Sequence, residues 1–208
     1  MNKDSLKDPL DELLRTMEGN PNLIPAEAAE RIQKIAERGA RLSAEERPIL
    51  LDLRSVGVDV TTIWSQHLGE RLTPEGMEIL AKHLRLPYSC KTREGLARAL
   101  ARPSAHGFWS LLVSEYKTAS EGLDEDGFPN GYKDGLASAL GAMASKSNLE
   151  ELIELVRDRT NGSSRLLLLV GLRRSRDPRA AKVLDDLADD PDLAKEIAHW
   201  KKRRKPKP

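Results

Sequence analysis

An internal echo constrains this chain more than any other feature. Arg93-Glu94-Gly95-Leu96-Ala97-Arg98-Ala99-Leu100 returns forty residues later as Lys133-Asp134-Gly135-Leu136-Ala137-Ser138-Ala139-Leu140, and a looser copy stands at Arg165-Leu166-Leu167-Leu168-Leu169-Val170-Gly171-Leu172. Each copy is followed by a second apolar run at helical spacing. These runs are Trp109, Leu112, Val113, Tyr116; then Leu149, Leu152, Ile153, Val156; then Ala180, Val183, Leu184, Leu187. Two helices per roughly 30 to 47 residues is the period of helical arrays, in which a repeat buries its apolar face only against its neighbours. A glycine inside a helix costs about 1 kcal/mol, so its return at Gly95 and Gly135 points to close packing between first helices.

The rest of the chain fits the same reading. Only 4% of the 208 residues are aromatic, so Leu and Ala must fill the core, which suits helices and not sheets. Upstream, Leu10, Leu13, Leu14 and Met17 share one helical face, closed by Gly19-Asn20-Pro21. Ala28, Ala29, Ile32, Ile35 and Ala36 predict a second helix from Pro25 to Gly39. Ser43 followed by Glu46 predicts a capping box opening a third. Asp59 is expected to cap a helix carrying Ile63, Trp64, His67 and Leu68, and Thr73-Pro74 to open one that Pro87 ends. The organisation expected is one helical repeat domain over residues 1–200, with residues 1–45 as N-terminal helices, the clearest repeats at 93–200, and a basic disordered tail at 201–208.

Several function classes find no support. The longest apolar run, Leu166 to Val170, is far short of the ~20 residues of a membrane span, and no apolar signal core follows Met1, so a cytoplasmic protein is expected. Cys90 is the one cysteine and lacks an evident activating base. His67, His83, His106 and His199 stand apart without metal-ligand spacing. Asp124, Glu125 and Asp126 share a loop with Gly122, Gly127 and Gly131, but at neither calcium-loop nor phosphate-loop spacing. No catalytic set, metal or cofactor is expected.

The repeats resemble HEAT repeats. The third is the clearest: a Leu-rich helix, Arg176-Asp177-Pro178-Arg179-Ala180, Val183-Leu184-Asp185-Asp186-Leu187, then Asp190-Pro191-Asp192. Leu53 to Trp64 and Pro74 to Leu84 are also similar to bacterial HEAT-repeat proteins of unassigned function, so the likeness covers about residues 47–200. It implies an all-α fold, a right-handed alpha-alpha superhelix of antiparallel helix pairs, and a scaffold whose chemistry the fold does not specify.

In such a superhelix the second helices line the concave face. Aligning the copies puts Ser114, Glu154 and Asp185 in one row, Glu151 and Lys182 on the next, and Asp158 and Asp189 beyond. Six cations lie in Lys201–Lys207, so without them the net charge of +1 becomes −5. An acidic ridge on an acidic body suits a basic protein partner and repels nucleic acid, except through the tail. The expected function is a non-enzymatic protein-binding scaffold, in one concrete form an immunity protein that neutralises a basic toxin or nuclease. Two alternatives stand beside it. One is an alkylpurine DNA glycosylase-type DNA-binding enzyme, with Trp64, Trp109 and Trp200 as aromatics and Asp185 as the acid; the other is a structural adaptor in a larger complex.

Overall fold

A computed structural model describes the backbone of residues 26–204 and the side chains of residues 28–201. The first pattern, Leu10 to Met17, and residues Lys205–Pro208 lie outside the described residues. Residue contacts divide the chain into one unit of Met1–Ser43 and another of Ala44–Pro208.

Ten α-helices occur among the described residues: α1 Ala26–Ser55, α2 Leu68–Arg71, α3 Pro74–Leu84, α4 Cys90–Ala99, α5 Trp109–Thr118, α6 Tyr132–Met143, α7 Leu149–Arg157, α8 Arg165–Arg174, α9 Pro178–Asp186 and α10 Ala194–Arg204. The fold is all-α; extended pairing among the described residues is limited to one isolated bridge, Leu123 with Pro129. No described helix is long and apolar enough to cross a membrane.

In the first unit, residues 26–43 are helical, and Ile32 and Ile35 are exposed. The break expected between Gly39 and Ser43 is absent, because α1 continues through both and through Pro48. Ser43 is therefore mid-helix and not a cap. The two glutamates after it reach into the second unit's own loops. Glu46 accepts from Thr62 Oγ1 at 2.7 Å and Ile63 N at 3.2 Å. Glu45 accepts from Ser89 N at 3.2 Å and Thr92 Oγ1 at 2.6 Å, at the start of α4.

The stretch expected to form a helix from Asp59 is also different. Residues 58–67 are turns, and only Leu68–Arg71 is helical. Asp59 binds the Arg54 guanidinium at 3.0 Å instead of capping. Val58, Val60, Ile63 and Leu68 are all buried, so this stretch packs apolar side chains without needing helical periodicity.

From Thr73 onward the elements fall where the pattern predicts. Thr73 caps α3 by accepting from Gly76 N at 3.1 Å, and Ser89 caps α4 by accepting from Thr92 N at 3.3 Å. The three echoed segments are α4, α6 and α8, and the runs after them are α5, α7 and α9. Helix α6 packs against α4 on one side and α8 on the other, while α5 packs on α6, and α7 and α9 pack on α8. Leu96, Leu100, Leu136, Leu140 and Leu168 are wholly buried in this layer. Each contributes about 1.5–3 kcal/mol of burial free energy.

The glycines define how closely the first helices approach. A β-carbon on Gly135 would lie 3.0 Å from the Glu94 carbonyl oxygen, and one on Gly141 would lie 2.6 Å from that of Leu167. Both are backbone contacts. At Gly95 the obstacle is the Ile63 side chain, 2.6 Å away. At the other end of the unit α10 runs to Arg204, beyond Trp200 and into the stretch expected to be disordered. Lys and Arg are good helix formers, and Pro206 is the first residue to oppose them.

Candidate functional site

The structure places the seven ridge residues on or beside the second helices but gives them unequal roles. Ser114, Glu154, Lys182 and Asp189 are exposed, and no ion pair engages Glu154, Lys182 or Asp189. The other three have intramolecular partners. Glu151 accepts from the indole Nε1 of Trp109 at 2.7 Å, with Lys117 Nζ at 3.8 Å. Asp158 accepts from Thr160 N at 2.9 Å and Thr160 Oγ1 at 2.6 Å, and these bonds hold its carboxyl below the usual range. Asp185 pairs with Lys201 at 2.7 Å. Neighbouring carboxylates are compensated too, Glu150 by Arg179 at 2.9 Å and Asp186 by Arg157 at 3.0 Å. The uncompensated acidic set is therefore smaller than the expected ridge, and of its carboxylates Glu154 and Asp189 remain without an ion pair.

The aromatics are not brought together. Trp109 is buried and serves the core, bonded to Glu151. Trp64 is partly exposed beneath Lys91, whose Nζ is 4.2 Å from the ring centroid. Trp200 packs under Arg173, 4.5 Å away, and lines a different recess from Trp64.

The strongest polar constellations are ones the pattern of carboxylates did not reveal. Arg165 is wholly buried and donates to Gly162 O at 3.0 Å, Val156 O at 3.2 Å, both Asp190 oxygens at 3.1 Å, and Asp192 Oδ2 at 2.8 Å. The guanidinium holds the Asp190 carboxyl below its ordinary range. In the sequence Asp190 stands out only as part of the Asp190-Pro191-Asp192 segment that closes the third repeat. Its larger part is to neutralise a buried cation. The sequence carries a signal for this, because Arg165 occupies the repeat position of Arg93 and Lys133. Those two also turn inward: Arg93 binds Glu115 and lies 4.3 Å from the Tyr132 ring centroid, and Lys133 lies 5.2 Å from that of Tyr116.

A second constellation joins α1 to α3. His83 is buried, with Nε2 3.0 Å from Asp52 Oδ2 and Nδ1 2.9 Å from the Tyr88 hydroxyl. The hydrogen bond from His83 lowers the Asp52 pKa, and burial raises that of Tyr88. The order carboxylate, imidazole, hydroxyl is that of a catalytic triad, but a phenol whose pKa is raised is a poorer nucleophile. The group works as a latch between helices. Tyr116 behaves similarly: burial pushes its phenol up to about 12, and its hydroxyl lies 2.7 Å from Ser164 Oγ.

Cys90 stands at the first turn of α4, where a helix would activate a thiol. Burial and the adjacent Glu125 carboxylate raise its pKa instead. In the loop before α6, Asp124 Oδ1 accepts from the amides of Asp126 at 3.0 Å and Phe128 at 2.8 Å, an internal turn. No group of three or more potential metal ligands forms among the described residues.

Comparison of the chain with protein-family models, curated proteins and solved structures gives no significant match.

Proposed function

We propose that this chain is a non-enzymatic binding scaffold, a right-handed HEAT-like stack of helix pairs, that holds a basic protein on its second-helix face. One observation carries the reading. The polar constellations (Arg165 with Asp190, His83 with Asp52 and Tyr88, Glu45 with Ser89 and Thr92) each join one element to another, while Glu154 on α7 and Asp189 just after α9 are exposed and engaged in no ion pair. Ionic chemistry inside the molecule holds its parts in place, and along the second helices the free carboxylates of Glu154 and Asp189 outnumber the free cation Lys182, which suits them to steering a cation-rich partner.

A toxin-neutralising immunity protein is the concrete version, with the acidic face covering the basic substrate-binding surface of a nuclease. The test is quantitative affinity capture from the native cytoplasm with the parent chain and with Glu154→Lys/Asp189→Lys. These two residues replace the wider set because Glu151, Asp158 and Asp185 are already engaged within the chain. A basic protein recovered by the parent and lost by the variant supports the reading. Equal recovery by both refutes it.

A further inference from the structure

Charge along the helix pairs is sorted by end. The loop after α5 carries Glu121, Asp124, Glu125 and Asp126, and the loop after α9 carries Asp189, Asp190 and Asp192; neither holds a cation. These loops lie on the side where α6 and α8 begin, as the contact of Glu121 with Ser164 N and of Asp190 with Arg165 fixes. The links that follow α6 and α8 have the opposite character. They bring Lys146, Arg174 and Arg176 to one cleft of about 510 Å³, which the Ser145 and Ser175 segments also line.

Three features make this cleft more than a charged surface. Lys146, Arg174 and Arg176 are exposed and have no ion-pair partner, whereas Arg93, Arg98, Lys117, Arg157, Arg165 and Arg179 are all paired. The one carboxylate in the lining, Asp177, is already bound side-on by Arg179, at 2.9 and 3.1 Å, and caps α9 through Arg179 N at 2.9 Å. The cations come from two places far apart in sequence, Lys146 from the link after α6 and Arg174 and Arg176 from the end of α8 and the link after it, so the cleft collects charge that neither segment holds alone.

We infer that this cleft binds the phosphate backbone of a nucleic-acid strand. Arg and Lys on a recess with hydroxyl-bearing serines make up the usual phosphate-contacting set. A ribose-phosphate strand enters a recess of this kind, while the flat surface of a bilayer meets only its rim. The ligand is a strand because three cations in one cleft can engage successive phosphates, and Arg173, the neighbour of Arg174 in the last turn of α8, adds a fourth beside them, 4.5 Å from the Trp200 ring centroid. The inference goes beyond the protein-binding reading and concerns the opposite end of the helix pairs from the acidic loops.

Fluorescence anisotropy with a labelled oligothymidylate and a labelled duplex, titrated with the full chain over a potassium chloride series, tests it. Lys146→Gln/Arg174→Gln/Arg176→Gln is expected to lower the slope of log K against log salt by about 2 on the single strand, since each phosphate contact contributes about 0.7. Lys146→Glu/Arg174→Glu/Arg176→Glu should weaken binding by roughly tenfold or more at low salt. All three side chains are exposed, and a thermal melt matching the parent certifies each variant. Lys182→Glu, outside the cleft, gives the size of a general charge effect, and a loss from the triple reversal no larger than that overturns the proposal. So does a chain with Lys202, Arg203, Arg204, Lys205 and Lys207 changed to Gln that loses all binding while the cleft variants keep it. Binding to phosphatidylserine vesicles with none to either oligonucleotide overturns it equally.

Discussion

Replacing Asp190 by Ala should be among the most damaging single changes in the second unit. The Arg165 guanidinium has no exposure to solvent, and the Asp190 carboxylate contacts two of its nitrogens at 3.1 Å each. Without Asp190, the compensation left is Asp192 at 2.8 Å, whose side chain is 49% exposed and so shares its charge with water. Breaking a buried pair by removing one partner costs about 3–5 kcal/mol, because the other charge is stranded in a medium that cannot solvate it. For a unit of this size that corresponds to a fall in Tm of roughly 10 °C, at about 2–4 °C per kcal/mol. Urea unfolding followed by helical circular dichroism measures it as a shift in midpoint at constant slope. Asp192→Ala, which removes a half-exposed partner, should cost only about 1–2 kcal/mol. The control is Arg165→Met/Asp190→Leu, which removes both charges and should recover most of the loss. A double variant as unstable as Asp190→Ala, or an Asp190→Ala loss below about 1 kcal/mol, would refute the argument from stranded charge.

Three further outcomes are expected. The folded pKa values of Asp190, bound by Arg165, and Asp52, bound by His83, lie below their unfolded values; their contributions are therefore complete above the ordinary aspartate pKa of about 3.9 and vanish as pH falls through the folded values, so acid unfolding of Asp190→Ala should be flatter than that of the parent in this window. Gly141→Ala should destabilise by about 1–3 kcal/mol because its β-carbon would meet the Leu167 backbone oxygen, whereas Gly39→Ala in open helix should gain up to about 1 kcal/mol in the same urea assay. The Cys90 thiol should react slowly with iodoacetamide, and Glu125→Gln should accelerate it by removing the carboxylate that raises the thiol pKa.

Helices α3 to α9 were legible because the signals there are local and agree with one another. Thr73 and Asp177 cap with their own side chains, Pro74 and Pro178 follow them, and Leu recurs at helical spacing. Upstream the same residue types misled. Ser43 and Glu46 have the spacing of a capping box, but Glu46 finds Thr62 and Ile63, and a helix already under way passes through Gly39 and Ser43. Asp59 to Leu68 has an apolar spacing that a helix could use, and the chain buries those side chains from turns instead. In both places the deciding partner is distant in sequence, and periodicity holds no record of it.

The exposure of the candidate residues was legible, and their freedom from intramolecular partners less so. Glu154, Asp185 and Asp189, polar in the aligned repeats, are all exposed, because the alignment follows which residues are Leu or Val. Whether each carboxylate is free depends on long cations reaching from other helices: Lys201 to Asp185, Arg157 to Asp186, Arg179 to Glu150. Such pairs at exposed sites contribute little stability, about 0–1 kcal/mol each, but they remove charge from the surface a partner meets.

The repeat also explains why charge is sorted by end. In α4, α6 and α8 the echoed cation, Arg93, Lys133 or Arg165, enters the interior near the start of its helix. A cation turned inward there must be balanced by carboxylates or aromatic faces of neighbouring elements, and Glu115 on α5 and Asp190 and Asp192 in the loop after α9 are such partners. Acidic residues thus collect where the first helices begin. The ends of those helices carry no such obligation, and cations there are favoured by the negative end of the helix dipole. Arg98 on α4 and Arg173 and Arg174 on α8 occupy the last turns of their helices. An inward-facing cation at the start of α4, α6 and α8, with dipole-stabilised cations at the far ends of α4 and α8 and Lys146 just beyond α6, is enough to give the unit an acidic end and a basic end. Surface selection for two kinds of partner would then act on a polarity the core packing already imposes.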